Sequence, residues 1–157
     1  MDNFLAFTLK SHSILNMLTT ETLIVSDISK KGVKSVPKMW RGLWDTGASQ
    51  SSITQRIVDY LGLIPVGNTN ISTANGNVRV NTYLVNIGLP NQVLIPNVLV
   101  SCADLGEDID VLIGMDIICH GDFSITNNNR KTTFSFRVPS IQEIDYVKES
   151  ENNMKKI

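Results

Sequence analysis

Apolar positions along the chain fall in short runs broken by turn residues, and helical periodicity is weak almost everywhere. Residues 22–28 (TLIVSDI) are rich in β-branched side chains. Residues 78–87 (VRVNTYLVNI) partly alternate, with Val78, Val80 and Leu84 on one parity, and Gly88-Leu89-Pro90-Asn91 then reads as a turn. Residues 93–100 (VLIPNVLV) predict another strand, which Pro96 places at an edge or a bulge. Residues 123–125 and 132–138 flank the turn-like Asn127-Asn128-Asn129, and Phe134, Phe136 and Val138 alternate with Ser135 and Arg137. Many short strands with frequent turns predict an all-β sandwich or barrel. Two segments look helical. Thr54 is placed to cap a short helix through Leu61, with Ile57, Val58 and Leu61 on one face and Gly62 as its stop. The polar stretch 140–157 reads as a frayed helix or a tail outside the core.

Composition fits this picture. The 157 residues are 42% hydrophobic and 18% charged, enough apolar material for one core and too little charge for a disordered chain. The formal net charge of -1 gives no basic field for general nucleic-acid binding. Lys30, Lys31, Lys34 and Lys38, and later Asp104, Glu107, Asp108, Asp110 and Asp116, read as solvated loops. Cys102 and Cys119 have no partners at metal-ligand spacing, so no metal site is expected, while a single bridge between them stays open. The apolar stretch 4–9 follows Asp2 rather than a basic segment, and no run approaches the ~20 residues of a membrane span. The expectation is a soluble, cytoplasmic protein without membrane contact.

The chemistry gathers in three places. The first is residues 42–52 (GLWDTGASQSS), where an apolar strand runs into Asp45-Thr46-Gly47-Ala48-Ser49. Gly47 lets the backbone fold back and offer its N–H to the carboxylate, and Thr46 supplies a hydroxyl to tie the loop. Asp-x-Gly is also a common strand end, and alone those three residues favour that plain turn. The second is residues 109–118 (IDVLIGMDII), a short buried strand whose Gly114 lets another backbone come close, with a short helix beginning near Asp116. The third is Ala74-Asn75-Gly76 between strand-like Ile71 and Val78. Asn-Gly there predicts a type I′ hairpin, either an ordinary surface hairpin or a movable flap.

In this order and spacing the three elements resemble the retropepsin-like, single-domain aspartic proteases, closest in look to bacterial and cellular members. The resemblance covers about residues 20–138. Ser49 stands where viral members usually carry another Asp, and Trp44 where an aliphatic residue is more usual; these departures bear on substrate contacts near Ser49, not on the fold. The resemblance implies a closed acid-protease barrel over residues 20–139 with a hairpin flap, between an N-terminal extension (1–19) and a C-terminal tail (140–157).

It also implies roles. Asp45 would be the catalytic aspartate, Thr46 would brace the opposite loop, and Gly47, with Ala48 and Ser49, would complete the active-site loop. Ala74, Asn75 and Gly76 would form the flap over a bound polypeptide, and Ile113 and Gly114 would pack behind the active loop. Only one Asp-Thr-Gly occurs, whereas the chemistry needs two carboxylates, so a homodimer with Asp45 facing its symmetry mate is implied. No cofactor or metal is required. The interface would come from the chain ends or from the 123–138 hairpin. A non-proteolytic binding module on the same fold, or a latent enzyme covered by residues 1–19, are the alternatives. His12 and His120 lie by no candidate nucleophile. Cys102 reads as a small buried residue, Ser49, Ser51 and Ser52 lie outside a nucleophile elbow, and Asp110 and Asp116 read as structural.

Overall fold

The strand that ends at Asp45, β3 (Met39–Trp44), lies inside a closed ring of strands in the computed structural model, which describes residues 4–26, 36–73 and 76–154. Its companions are β2 (Thr19–Ser26), β4 (Ser52–Ile53), β6 (Gly76–Gly88), β7 (Leu94–Cys102) and β8 (Val111–Ile113). They follow the order β2-β3-β8-β4-β7-β6, and β6 returns to β2, which closes the barrel. Closure leaves no bare edge in this layer. β3 runs parallel to β8, with Trp44 opposite Ile113, and β4 is wedged between β7 (parallel) and β8 (antiparallel). A strand as short as β4 gives no pattern of its own; its two residues are buried between neighbours on both sides.

Among the described residues β5 (Gly67–Thr73) pairs only with β6, and it extends from the barrel as a hairpin. The last pair is Thr73 with Gly76, so Gly76 begins β6 instead of forming the turn centre, and it takes φ 108°. Ala74, Asn75 and the expected turn type lie outside the described residues. On β6 the buried parity is Tyr83, Val85 and Ile87, whereas Val78 and Leu84, on the other parity, are exposed. The first half of the strand has left the barrel, so alternation there no longer marks the core. A register shift between Val85 and Ile87 against β7 fits the strand containing Pro96.

A second, three-stranded sheet has the order β1-β10-β9, from β1 (Leu5–Lys10), β10 (Thr133–Val138) and β9 (Asp122–Thr126). Residues 5–10, read from sequence as part of an extension, therefore form a sheet edge and carry Phe7 into the interior. Phe7, Trp44, Phe123, Phe134 and Phe136 make one aromatic cluster, with Trp44 and Phe136 centroids 4.9 Å apart and Phe7 edge-on to Phe134 at 5.4 Å. Four of the five phenylalanines in the chain are there. A fully buried phenylalanine such as Phe134 or Phe136 contributes roughly 1.5–3 kcal/mol, and the half-buried Phe7 and Phe123 add less, so this cluster is what joins the small sheet to the barrel. Trp44, unusual in sequence before the aspartate, is its centre, and its indole N–H donates to Thr20 Oγ1 at 2.8 Å.

Among the described residues three α-helices sit outside the strands. α1 (Gln55–Leu61) buries Ile57, Val58 and Leu61 and ends at Gly62 in the left-handed conformation, although Thr54 makes no side-chain cap. α2 (Met115–Ile118) follows β8. α3 (Tyr146–Met154) buries nothing and is capped by Asp145, whose Oδ1 accepts from the N–H groups of Val147 and Lys148.

Asp122 fastens the segment after β10. It accepts from the Ser140 hydroxyl, from Arg137 Nε at 2.6 Å, and from the N–H groups of Ile141 and Gln142. The Ser140 hydroxyl first, then the Ile141 N–H and Arg137, hold its carboxyl at about 2, below the ordinary 3.8. A lowered native value stabilises above the unfolded value and is lost as pH falls through the folded one. Thermal stability should therefore decline between pH ~4 and ~2 in part through this group. In Asp122→Asn that decline should be shallower, with a lower Tm at pH 7. Identical pH profiles in calorimetry would refute it.

Candidate active site

β3 delivers Asp45 to the end of the barrel. Its backbone N–H donates to the Ile113 carbonyl at 2.9 Å, continuing the parallel ladder by one bond. The chain then turns sharply. Gly47 N–H donates to Asp45 Oδ1 at 2.8 Å, and Ala48 N–H to the Asp45 carbonyl at 3.2 Å. A Cβ on Gly47 would lie 3.1 Å from that same Oδ1, so glycine is what allows the amide so close to the carboxylate. Asp45 is half-buried, while Thr46, Gly47 and Ser49 are exposed. The loop thus presents one carboxylate, held in a single orientation by a backbone donor, at the mouth of a core.

Behind the loop lies the turn from β8 into α2. Met115 N–H donates to the Ala48 carbonyl at 2.8 Å. Gly114 is extended (φ -92°), so its importance is spatial: a Cβ there would meet the Gln50 carbonyl carbon at 2.7 Å and the Ala48 oxygen at 3.0 Å. Ile113 is fully buried beneath. Ser51, which the sequence marks only as lying outside a nucleophile elbow, is also fully buried. Its hydroxyl donates to Asp116 Oδ1 (2.7 Å) and accepts from Gly114 N–H (3.0 Å), and its own N–H donates to Asp116 Oδ2 (3.0 Å). No feature of the isolated sequence pairs residue 51 with residue 116; the antiparallel pairing of β4 with β8, with Ser52 opposite Leu112, does.

The other acidic residue near the loop is committed elsewhere. Asp110 pairs with Arg56 at 2.5 Å and accepts from Arg41 N–H at 3.1 Å. With Asp116 tied to Ser51, neither carboxylate is free to act beside Asp45. Among the described residues no cluster of His, Cys, Asp and Glu is fit to hold a metal, and no helix is long and apolar enough to cross a membrane. Cys102 and Cys119 are free thiols, the first half-buried and donating to Gln55 Oε1 at 3.3 Å. Burial, with a smaller contribution from Asp59, pushes the Cys102 thiol up.

A cavity of about 690 Å³ lies under the β5–β6 hairpin. Ile71, Val78 and Val80 line it from the hairpin; Thr54 and Arg56 from the start of α1; Ala103 and Glu107 from the loop after β7. Asp45 is not on its wall. The exposed apolar parity of the hairpin therefore faces a hollow, which is why Val78 and Val80 break the core pattern.

The family described as "gag-polyprotein putative aspartyl protease" matches residues 38–120, which span the Asp45 loop, the hairpin and α2. Among solved structures, a retropepsin-like aspartic protease from Rickettsia conorii aligns at TM-score 0.51 and 13% identity, covering 88% of this chain and 98% of that one. The EIAV protease complexed with the inhibitor HBY-793 aligns at TM-score 0.50 and 24% identity, covering 69% and 90%. At these identities the two structures establish a shared retropepsin fold. No curated protein matches the chain.

Proposed function

The chain belongs to the gag-polyprotein aspartyl protease family, and on that premise we propose that it is an aspartic endopeptidase whose active site is assembled from two copies. The observation that carries this reading is the held carboxylate: Asp45, at the end of a barrel strand, with Gly47 N–H on its Oδ1. Peptide hydrolysis by carboxylates needs one ionised group to take a proton from water and one protonated group to donate to the scissile carbonyl oxygen. Two like charges in one site cannot both ionise easily, so a facing pair shares a proton, as in aspartic proteases generally.

This chain has one Asp-Thr-Gly, and Asp110 and Asp116 are occupied by Arg56 and Ser51. A two-fold dimer supplies the missing half by placing Asp45 opposite its mate. Thr46, exposed at the loop tip, is then available to the opposite loop. Water attacks the carbonyl carbon, the ionised Asp45 takes its proton, and the protonated mate donates to the carbonyl oxygen. Collapse of the tetrahedral intermediate breaks the C–N bond, with a proton passing to the leaving amine. An extended polypeptide lies between the dyad and the hairpins, adding to the barrel as a strand. Ile71, Val78 and Val80 offer it apolar walls.

A diverse peptide library incubated across pH ~3–8, the span set by titration of a shared dyad, tests the reading. Cleavage per chain is expected to rise with chain concentration and then to level off as dimer forms. A rate per chain independent of concentration, from protein that sediments as monomer, would overturn the two-copy site. Absence of cleavage by a proven dimer would favour a binding module.

A further inference from the structure

We infer that Ser51 and Asp116 are positioning residues for Asp45: together they form a side-chain latch that closes the active loop onto the β8–α2 turn. The role rests on the protease reading above; the latch itself rests on geometry.

Residues 45–51 leave the barrel and return to it within seven positions, and they touch 113–116 at three points. At the near end Asp45 N–H meets the Ile113 carbonyl, and in the middle Met115 N–H meets the Ala48 carbonyl. Both of these are backbone bonds, present whatever the side chains. At the far end the tie is made by side chains: the Ser51 hydroxyl between Gly114 N–H and Asp116 Oδ1, with Ser51 N–H on Oδ2. Asp116 Oδ1 also accepts from Ile117 N–H at 3.1 Å, so the carboxylate is fixed to the first turn of α2.

The latch is buried at Ser51 and Gly114. A buried donor or acceptor that loses its partner pulls its neighbours toward another arrangement, because water does not replace the bond. The slack would pass to the exposed residues, Ser49 and Gln50, and through Ala48 to the turn that aims the carboxylate. Gly114 makes the arrangement tight, since the loop backbone already touches it where a Cβ would be. Two carboxylates that share a proton across a dimer axis tolerate little displacement, and ~1 Å of misplacement costs on the order of 100-fold in rate.

The test uses the full chain, Ser51→Ala and Ser51→Thr, at a temperature where each is folded and at concentrations that saturate dimer formation. Ser51→Ala is expected to lower kcat by roughly 10–100-fold with KM within about 2-fold, since the loss falls on alignment and not on peptide binding. Ser51→Thr, which keeps the hydroxyl, is expected to retain kcat within about 3-fold. Hydrogen exchange at the Ala48 and Met115 amides is expected to quicken in Ser51→Ala by about 10-fold or more. Asp116→Asn, which keeps the shape and loses an acceptor, is expected to move both readouts the same way and replaces Ser51→Ala if that variant does not fold. A lowered Tm with kcat and amide exchange unchanged would overturn the latch. So would a loss of activity fully restored by raising protein concentration. If the unaltered chain makes no Asp45-dependent cut, the protease reading fails, and the exchange rates alone decide whether the latch exists.

Discussion

Asp45→Asn is expected to leave the protein folded and able to dimerise while lowering kcat/KM by at least about 10⁴-fold. The asparagine oxygen still accepts from Gly47 N–H, so the 2.8 Å bond that sets the loop persists. What disappears is proton traffic. An amide neither takes a proton from water nor gives one to a carbonyl oxygen at working pH. In a homodimer one substitution removes both groups, so acid and base are lost together. The half-exposed side chain is otherwise replaced by its own shape, and Tm should move by no more than about 2 °C. The check pairs calorimetry and sedimentation with peptide cleavage by freshly purified variant. Cleavage at the unaltered rate, with a contaminating protease excluded, would remove Asp45 from the chemistry.

Gly114→Ala is expected to cost about 3 kcal/mol of stability and to lower Tm by about 10 °C. The backbone at 114 is extended and accepts any residue, so the penalty is purely one of space. The added carbon would meet the carbonyl carbon of Gln50 at 2.7 Å and its oxygen at 2.9 Å. Those are main-chain atoms of the active loop and cannot rotate away as a side chain would. The loop must shift, so kcat should fall about 100-fold even well below the new Tm. Denaturant titration read beside steady-state kinetics distinguishes the two effects. Unchanged stability would mean that the loop is not seated against this glycine.

These two positions are among the most legible in the sequence, because the aspartate and the glycine each carry a local signature. Asp-Thr-Gly compresses a strand end, a turn and a donor into three residues, and a glycine after Val111-Leu112-Ile113 signals close approach. The all-β class was legible in the same way, from short apolar runs. Four features were not. β4 is two residues long, below the length at which alternation means anything. The burial parity of β6 changes meaning where the strand leaves the barrel, so Val78 and Val80 look like core while facing a hollow. The tie between Ser51 and Asp116 joins positions 65 residues apart and exists only once β4 and β8 lie side by side. The place of residues 5–10 in the small sheet was hidden for the same reason, since its partner, β10, stands at the other end of the chain.

β3 holds both tryptophans of the chain, four residues apart and both almost completely buried. Trp44 is ringed by Phe7, Phe134 and Phe136, with its indole N–H on Thr20, while Trp40 lies edge-on to Tyr60 beneath the Lys38 ammonium. Tryptophan emission, excited selectively over the three tyrosines, therefore comes from a single strand, the one that carries Asp45 to its place. Emission maximum and quencher access become an optical gauge of that strand, needing no label and indifferent to the polar C-terminal helix or to the hairpin tip.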